Sequence, residues 1–323
     1  MSWDICDRAA GAMNAYLVTG GAGFIGSHIV ELLVRRGAKV RVLDNFLTGK
    51  KANIEPFLKQ VELIEGDVRD IATCRKVAGG VDSILHQAAL TSVPGSVEDP
   101  RTTNDVNITG TLNMLLAARD RGVRSFVLAS SSAVYGDDPE LPKKEDQECV
   151  PLSPYGLSKW VGERYCRMFR SLYGLHTVAL RYFNVFGPRQ DPFSQYAAVI
   201  PHFIAGALRG EPPVVFGDGE QSRDFIYAEN VAAANVLAAG AGDIPGGILN
   251  IAGGRGTTVN ELAARINTIL KARLAPVYAP ERTGDIKHSY ADISAARARL
   301  GFEPVVFFEE GLERTIRWYK ERS

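Results

Sequence analysis

The chain has 323 residues, 46% hydrophobic and 23% charged, a balance that excludes disordered and fibrous classes and permits one large α/β domain or two smaller lobes. Lys and Arg together number 37, as do Asp and Glu, so the formal net charge is zero. No long-range positive field gathers nucleic acid or an anionic membrane, and any anionic partner must be held by a few local groups.

Residues 1–13 are expected to form a loose extension, because "MSWDICDRAAGAM" lacks the basic and apolar blocks of a signal peptide. "AYLVTGG" then reads as a strand ending in glycines. "SHIVELLVRRG" follows with helical apolar spacing and Gly37 as its C-cap. "KVRVLD", "VELIEGD", "VDSILHQAA", "RSFVLASSS" and "HTVALRYFNVFG" are further strands. Helical patterns such as "TLNMLLAARDRG" and "SKWVGERYCRMFRSLYG" lie between them. Strands apolar throughout, alternating with helices, indicate an α/β fold whose parallel sheet is covered on both faces. After Gly187 prolines interrupt the pattern, and "ENVAAANVLAAG" and "VNELAARINTIL" read as shorter helices of a second, smaller lobe. The expected division is therefore 14–187 and 188–323, with an approximate boundary and room for the chain to cross back between the lobes. No apolar run approaches the ~18–20 residues of a membrane helix. Cys6, Cys74, Cys149 and Cys166 form no CxxC pair, so neither a metal site nor a disulfide framework is expected, and free thiols point to a reducing cytoplasm.

Three glycines, Gly20, Gly23 and Gly26, sit in "TGGAGFIG" between the first strand and the first helix. That context lets backbone N–H groups and the helix N-terminus approach a pyrophosphate. Asp44 ends the second strand, where an acid grips the ribose hydroxyls of a dinucleotide. A carboxylate there repels a 2′-phosphate, and Asn45 stands where a welcoming Arg would be, so NAD is favoured over NADP despite nearby Lys50 and Lys51.

"LASSSAVYG" puts Ser131 and Ser132 at the carboxyl end of a strand. In "SPYGLSK", Tyr155 and Lys159 lie at i and i+4, on one helix face. An ammonium beside a phenol stabilises the phenolate and is expected to lower the tyrosine pKa, while a serine hydroxyl bonds the oxygen whose proton moves. Together with a nicotinamide, these groups make an acid–base site for oxidising an alcohol.

The chain resembles the extended short-chain dehydrogenase/reductases, and within them the nucleotide-sugar 4-epimerases. The segments that carry the resemblance include "TGGAGFIGSH", "GDVRD", "HQAA", "NITGTLNML", "SSSAVYG", "SPYGLSK", "RYFNVFGPRQDP", "GDGEQSRDFIYAENVA", "NIAGG" and "ERTGDIKHSYADISAARARLGF". They run in the family's order from residue 16 to about residue 318. The resemblance implies a Rossmann-type doubly wound sheet with a smaller mixed α/β C-terminal lobe that binds a UDP-sugar. It implies cofactor contacts from Phe24 and Ile25 of the glycine loop, from Asp67 and Val68 beside the adenine, from Ala88, Ala89 and Thr91 along the channel, and from Tyr182. Asn107 would brace the active-site helix. On the substrate side it implies Asn184, Val199, Phe216, Arg223, Arg282 and Asp285, with Ser289 at a position where a tyrosine would confine the pocket to hexoses without a C2 acetamido group. Ser289 therefore predicts that N-acetylhexosamines fit, unless Phe193 or Tyr290 fills the space.

The implied reaction is C4 epimerisation of a UDP-hexose. Tyr155 removes the C4 hydroxyl proton while hydride passes to a tightly held NAD, and the hydride returns to the other face of a 4-keto sugar. Related dehydratases and decarboxylases carry acids where Ser132 and Ala133 stand, which disfavours elimination and decarboxylation. A uronate-specific epimerase would offer an Arg near position 191. Asp191 stands there, with Arg189 close enough to turn inward. A non-catalytic NAD sensor would have lost the Ser, Tyr or Lys. The helices around 104–121 and 155–173 resemble a pair that builds homodimers in this superfamily.

Overall fold

The computed structural model describes residues 14–192, 198–242, 244, 247–281 and 286–322. The first half alternates strand and helix: β1 (Ala15–Thr19), α1 (Phe24–Arg35), β2 (Lys39–Asp44), β3 (Val61–Glu65), α2 (Ile71–Val77), β4 (Ser83–His86), α3 (Val93–Glu98), α4 (Pro100–Asn104), α5 (Gly110–Asp120), β5 (Ser125–Ser131), α6 (Pro154–Tyr173) and β6 (His176–Tyr182). The second half is more broken: β7 (Asn184–Phe186), α7 (Val199–Leu208), β8 (Val214–Phe216), β9 (Ser222–Tyr227), α8 (Ala228–Gly240), β10 (Ile248–Ile251), β11 (Gly256–Thr258), α9 (Val259–Leu270), β12 (Val277–Ala279), β13 (His288–Ser289), α10 (Ser294–Leu300) and α11 (Phe308–Lys320).

Among the described residues, seven strands form one parallel sheet in the order β10-β6-β5-β4-β1-β2-β3. Successive strand residues face opposite layers. Val18, Val42, Val127 and Val178 face one core, with Ile29 and Leu33 of α1. Their neighbours Leu17, Leu43, Phe126 and Ala179 face the other, with Met114 of α5 and Phe169 of α6. This two-sided burial is why the strands read as unbroken apolar runs. The strand order reverses at β1, flanked by β2 and β4, and the crevice beyond such a switch point is where ligands bind in this architecture.

The smaller layer gathers β7, β9, β11 and β13 into a second sheet, with β8 paired to β12. Phe186, Phe203, Phe225, Leu262 and Ile316 pack its core. Not every element past Gly187 stays in this layer. The chain returns to the large sheet, where β10 pairs with β6 and α8 packs against α1. The helix pattern "ENVAAANVLAAG" could not reveal this, because its small residues are buried all round and mark no preferred face.

Candidate active site

Gly20 follows β1 at φ +65, a conformation glycine adopts without strain. A Cβ on Gly20 would stand 2.8 Å from the Ala88 nitrogen, so the loops after β1 and β4 can meet only because glycine is there. A Cβ on Gly26 would overlap the Gly20 carbonyl oxygen. Helix α1 therefore starts hard against the strand. Its N-cap is Gly23, with no capping side chain and no acid in the first turn. Unsatisfied N–H groups and the positive end of the helix dipole are left facing the cleft, which suits a phosphate.

Asp44 is almost fully buried at the end of β2. Its carboxylate accepts from Ala22 N at 2.9 Å and Phe46 N at 2.8 Å. Burial still holds its pKa above the ordinary range, against those two backbone hydrogen bonds. Two of its acceptor positions remain for a ribose diol. Lys50 turns away from it, pairing with Asp191 at 2.7 Å. The donor set therefore fits NAD: glycine-lined amides for the pyrophosphate and an acid for the ribose.

Helix α6 starts cleanly. Ser153 caps it by accepting from Gly156 N at 3.1 Å, and Pro154 occupies the first turn. This start aims Tyr155 and Lys159 together into the cleft, where Ser131 arrives from the end of β5. The Lys159 ammonium donates to the Ala129 carbonyl at 2.9 Å and lies 5.8 Å from the Tyr155 ring centre. Burial lowers its pKa to about 8. The expected lowering of the Tyr155 pKa is not found in the protein by itself. Burial raises it, opposed only by a hydrogen bond with Ser131. Desolvation outweighs an ammonium that lies beside the ring rather than on the hydroxyl.

These groups share one cleft of about 700 Å³. Its cofactor end is lined by Gly20, Gly23, Phe24, Ile25, Gly26, Asp44 and Asn45, and its middle by Val68, Ala88, Ala89, Thr91 and Tyr182. Asn184 of β7, Val199 at the start of α7, Phe216 at the end of β8 and Arg223 of β9 line the far end. Several expected residues sit elsewhere. Asp67 is turned out of the lining: Arg69 and Asn45 both donate to its carboxylate, and they hold its pKa well below the usual range. Asn107 lies behind the wall, bonded to both backbone groups of Leu90 and donating at 3.0 Å to the hydroxyl of Ser158 on α6, the helix it was expected to brace. Ser132 opens the turn after β5 and does not line the cleft, whereas Ser131 does. Arg189 pairs with Glu31 of α1 instead of turning inward. Ser289 stands in register with Arg223, one strand back from the lining. Tyr290 packs toward Gly256. Phe193, Arg282 and Asp285 lie outside the described residues, as does Cys6.

The sequence reading missed Gln221, Phe225 and Gln190 as lining residues. Gln221 and Phe225 are two positions either side of Arg223, so the period of a strand would have found both once Arg223 was placed on one. Gln190 is in the quoted "GPRQDP" but was given no role.

The model of the NAD dependent epimerase/dehydratase family matches residues 16–252. A UDP-glucose 4-epimerase of Mycolicibacterium smegmatis is 37% identical over 312 residues, which span 95% of this chain and 99% of that one. Among solved structures, the UDP-N-acetylglucosamine 4-epimerase from Methanobrevibacter ruminantium, in complex with UDP-N-acetylmuramic acid, matches with a TM-score of 0.92 at 44% identity, covering 96% of this chain and 99% of that chain. The UDP-glucose 4-epimerase of Thermus thermophilus in complex with NAD matches with a TM-score of 0.87 at 38% identity, covering 95% and 99%.

Proposed function

The chain belongs to the NAD dependent epimerase/dehydratase family, and on that premise we propose that its cleft inverts C4 of a UDP-hexose. The observation that carries this reading is the sharing of one cleft by Ser131, Tyr155 and Lys159 with the glycine turn and Asp44 on one side and Asn184 and Arg223 on the other. When bound, NAD supplies reversible acceptance of the C4 hydrogen with its electron pair. The protein's part is proton transfer and positioning. Tyr155 takes the C4 hydroxyl proton and later returns it, Ser131 bonds the same oxygen, and Lys159, anchored on the Ala129 carbonyl, keeps positive charge beside the phenol. Burial raises the Tyr155 pKa against the Ser131 hydrogen bond, and a bound nicotinamide would add positive charge that favours the phenolate.

The acids a dehydratase or decarboxylase would need beside C5 or C6 are absent from positions 132 and 133, which are Ser and Ala. Asp191 stands where a uronate-specific enzyme would offer an Arg, which disfavours a uronate. Ser289 supports acceptance of a C2 acetamido group. Two finer readings complete the proposal. The chain works as a homodimer, supported by Leu157, Met168 and Leu172, which stand exposed along α6. It resides in the cytoplasm, supported by the free thiols Cys74, Cys149 and Cys166.

Incubating the purified protein with UDP-glucose and UDP-N-acetylglucosamine, without added cofactor, should yield mixtures of C4 epimers by NMR. Tyr155→Phe should keep UDP-sugar and NAD binding and lose at least ~10²-fold in turnover. Unchanged sugars with every UDP-hexose, or a Tyr155→Phe rate within a few-fold of wild type, would overturn the assignment. A light-scattering mass equal to one 35.1 kDa chain would sink the dimer.

A further inference from the structure

Ser131 and Tyr182 stand side by side in register at the ends of β5 and β6. One step back along each strand, Ser130 and Arg181 are likewise paired in register. Because strand side chains alternate, these two share the opposite face, the one that α6 covers. Glu163 meets them there, one helical turn beyond Lys159. Arg181 donates to both carboxylate oxygens of Glu163, each at 2.8 Å, and Ser130 Oγ donates to the first of them at 2.6 Å. The Arg181 and Glu163 side chains are 1% and 0% exposed. The same guanidinium reaches Cys149 Sγ at 3.1 Å and lies 4.6 Å over the Tyr135 ring. Ser130 itself touches the cleft, Arg181 is one residue from Tyr182, and Glu163 is one helical turn from Lys159.

A fully buried ion pair is a poor source of stability, because desolvating two ions offsets most of their attraction. What it does supply is direction. A two-pronged guanidinium–carboxylate contact fixes distance and orientation at once. Apolar packing between α6 and β5 would hold the helix down without setting its rotation or its slide along the strand. Misplacing a reacting group by ~1 Å is enough to cost ~10²-fold in rate. The cluster stands where such an error would move Tyr155 and Lys159 against Ser131.

We propose that Glu163 and Arg181, with Ser130, are positioning residues that lock the helix carrying Tyr155 and Lys159 onto the strand ends carrying Ser131 and Tyr182. The proposal rests on the reading of Tyr155 as the acid–base residue.

The test replaces the cluster by apolar side chains of similar volume, Ser130→Ala with Glu163→Leu and Arg181→Met, in the full-length NAD-loaded protein. The variant should melt at or above the wild-type temperature, as buried ion pairs replaced in full commonly do. Its NAD content after acid release and its KM should stay within about threefold, while kcat falls ~10–100-fold. Arg181→Lys keeps the charge but loses the fork, and should lower kcat by at least about fivefold at unchanged KM. It also decides the matter if the triple variant does not fold. A folded triple variant, or an Arg181→Lys variant, with kcat within twofold of wild type overturns the proposal. A tyrosinate absorbance titration, each protein read against its own Tyr155→Phe counterpart, reports the same geometry without substrate. The midpoint should shift in the triple variant by at least ~0.5 pH unit. An unmoved midpoint overturns the proposal even if no UDP-hexose turns over, an outcome that would separately sink the epimerase reading.

Discussion

The two ends of the cleft are built in different ways. The cofactor end is one tight turn and one strand end: Gly20 to Gly26 and Asp44, joined by the Ala22 N to Asp44 hydrogen bond. The sugar end collects single residues from β7, α7, β8 and β9, with Ser289 one strand behind. At the first end backbone geometry does the binding, so the tolerance for change is set by van der Waals contact. At the second end, on the proposed function, side chains would do it, each acting on one substituent of the ligand. Damage should therefore be global at the turn and selective at the sugar.

Gly26→Ala should produce the largest effect. The new methyl overlaps the Gly20 carbonyl, so the turn must open. Overpacking of this kind costs ~1–3 kcal/mol, up to ~10²-fold in NAD affinity. NAD content on purification and the melting temperature should both fall, and wild-type NAD content would break the contrast between the two ends. Asp44→Asn should come next. It removes the charge from hydrogen bonds to a ribose, worth ~1.5–3 kcal/mol, so NAD should bind ~10–100-fold more weakly in a fluorescence titration. Relative affinity for NADP should rise, because the carboxylate no longer repels a 2′-phosphate. An unchanged NAD to NADP ratio would remove Asp44 from cofactor choice. Ser289→Tyr should give the smallest and most selective change. Turnover of UDP-N-acetylglucosamine should drop at least ~10-fold relative to UDP-glucose, as a ring fills the space of an acetamido group. Equal loss on both sugars would mean that Ser289, which stands behind Arg223, acts on the sheet rather than on the substrate.

The same contrast explains what could be read from the chain alone. The parallel sheet and the glycine turn are local facts: unbroken apolar strands, a strand–glycine–helix junction, an acid at the next strand end. The pairing of Tyr155 with Lys159 is local too, since one helix turn carries both. Which layer receives helix α8 was not legible, because an alanine-rich helix buried all round has no stripe to show it. Only the fold reveals that Arg69 and Asn45 take up the Asp67 carboxylate. Gln221 and Phe225 went unseen because Arg223 was read as a single contact and its strand period was not followed.

By itself the sequence determined the elements, the phosphate turn and the acid–base pair, because their spacing is written within a turn of helix or a pair of strand positions. Tertiary structure alone decided which serine faces the cleft, where Arg189 and Lys50 spend their charge, and that the Tyr155 pKa rises when only protein surrounds it. Those outcomes depend on burial and on partners distant in the chain, and local spacing carries no information about either.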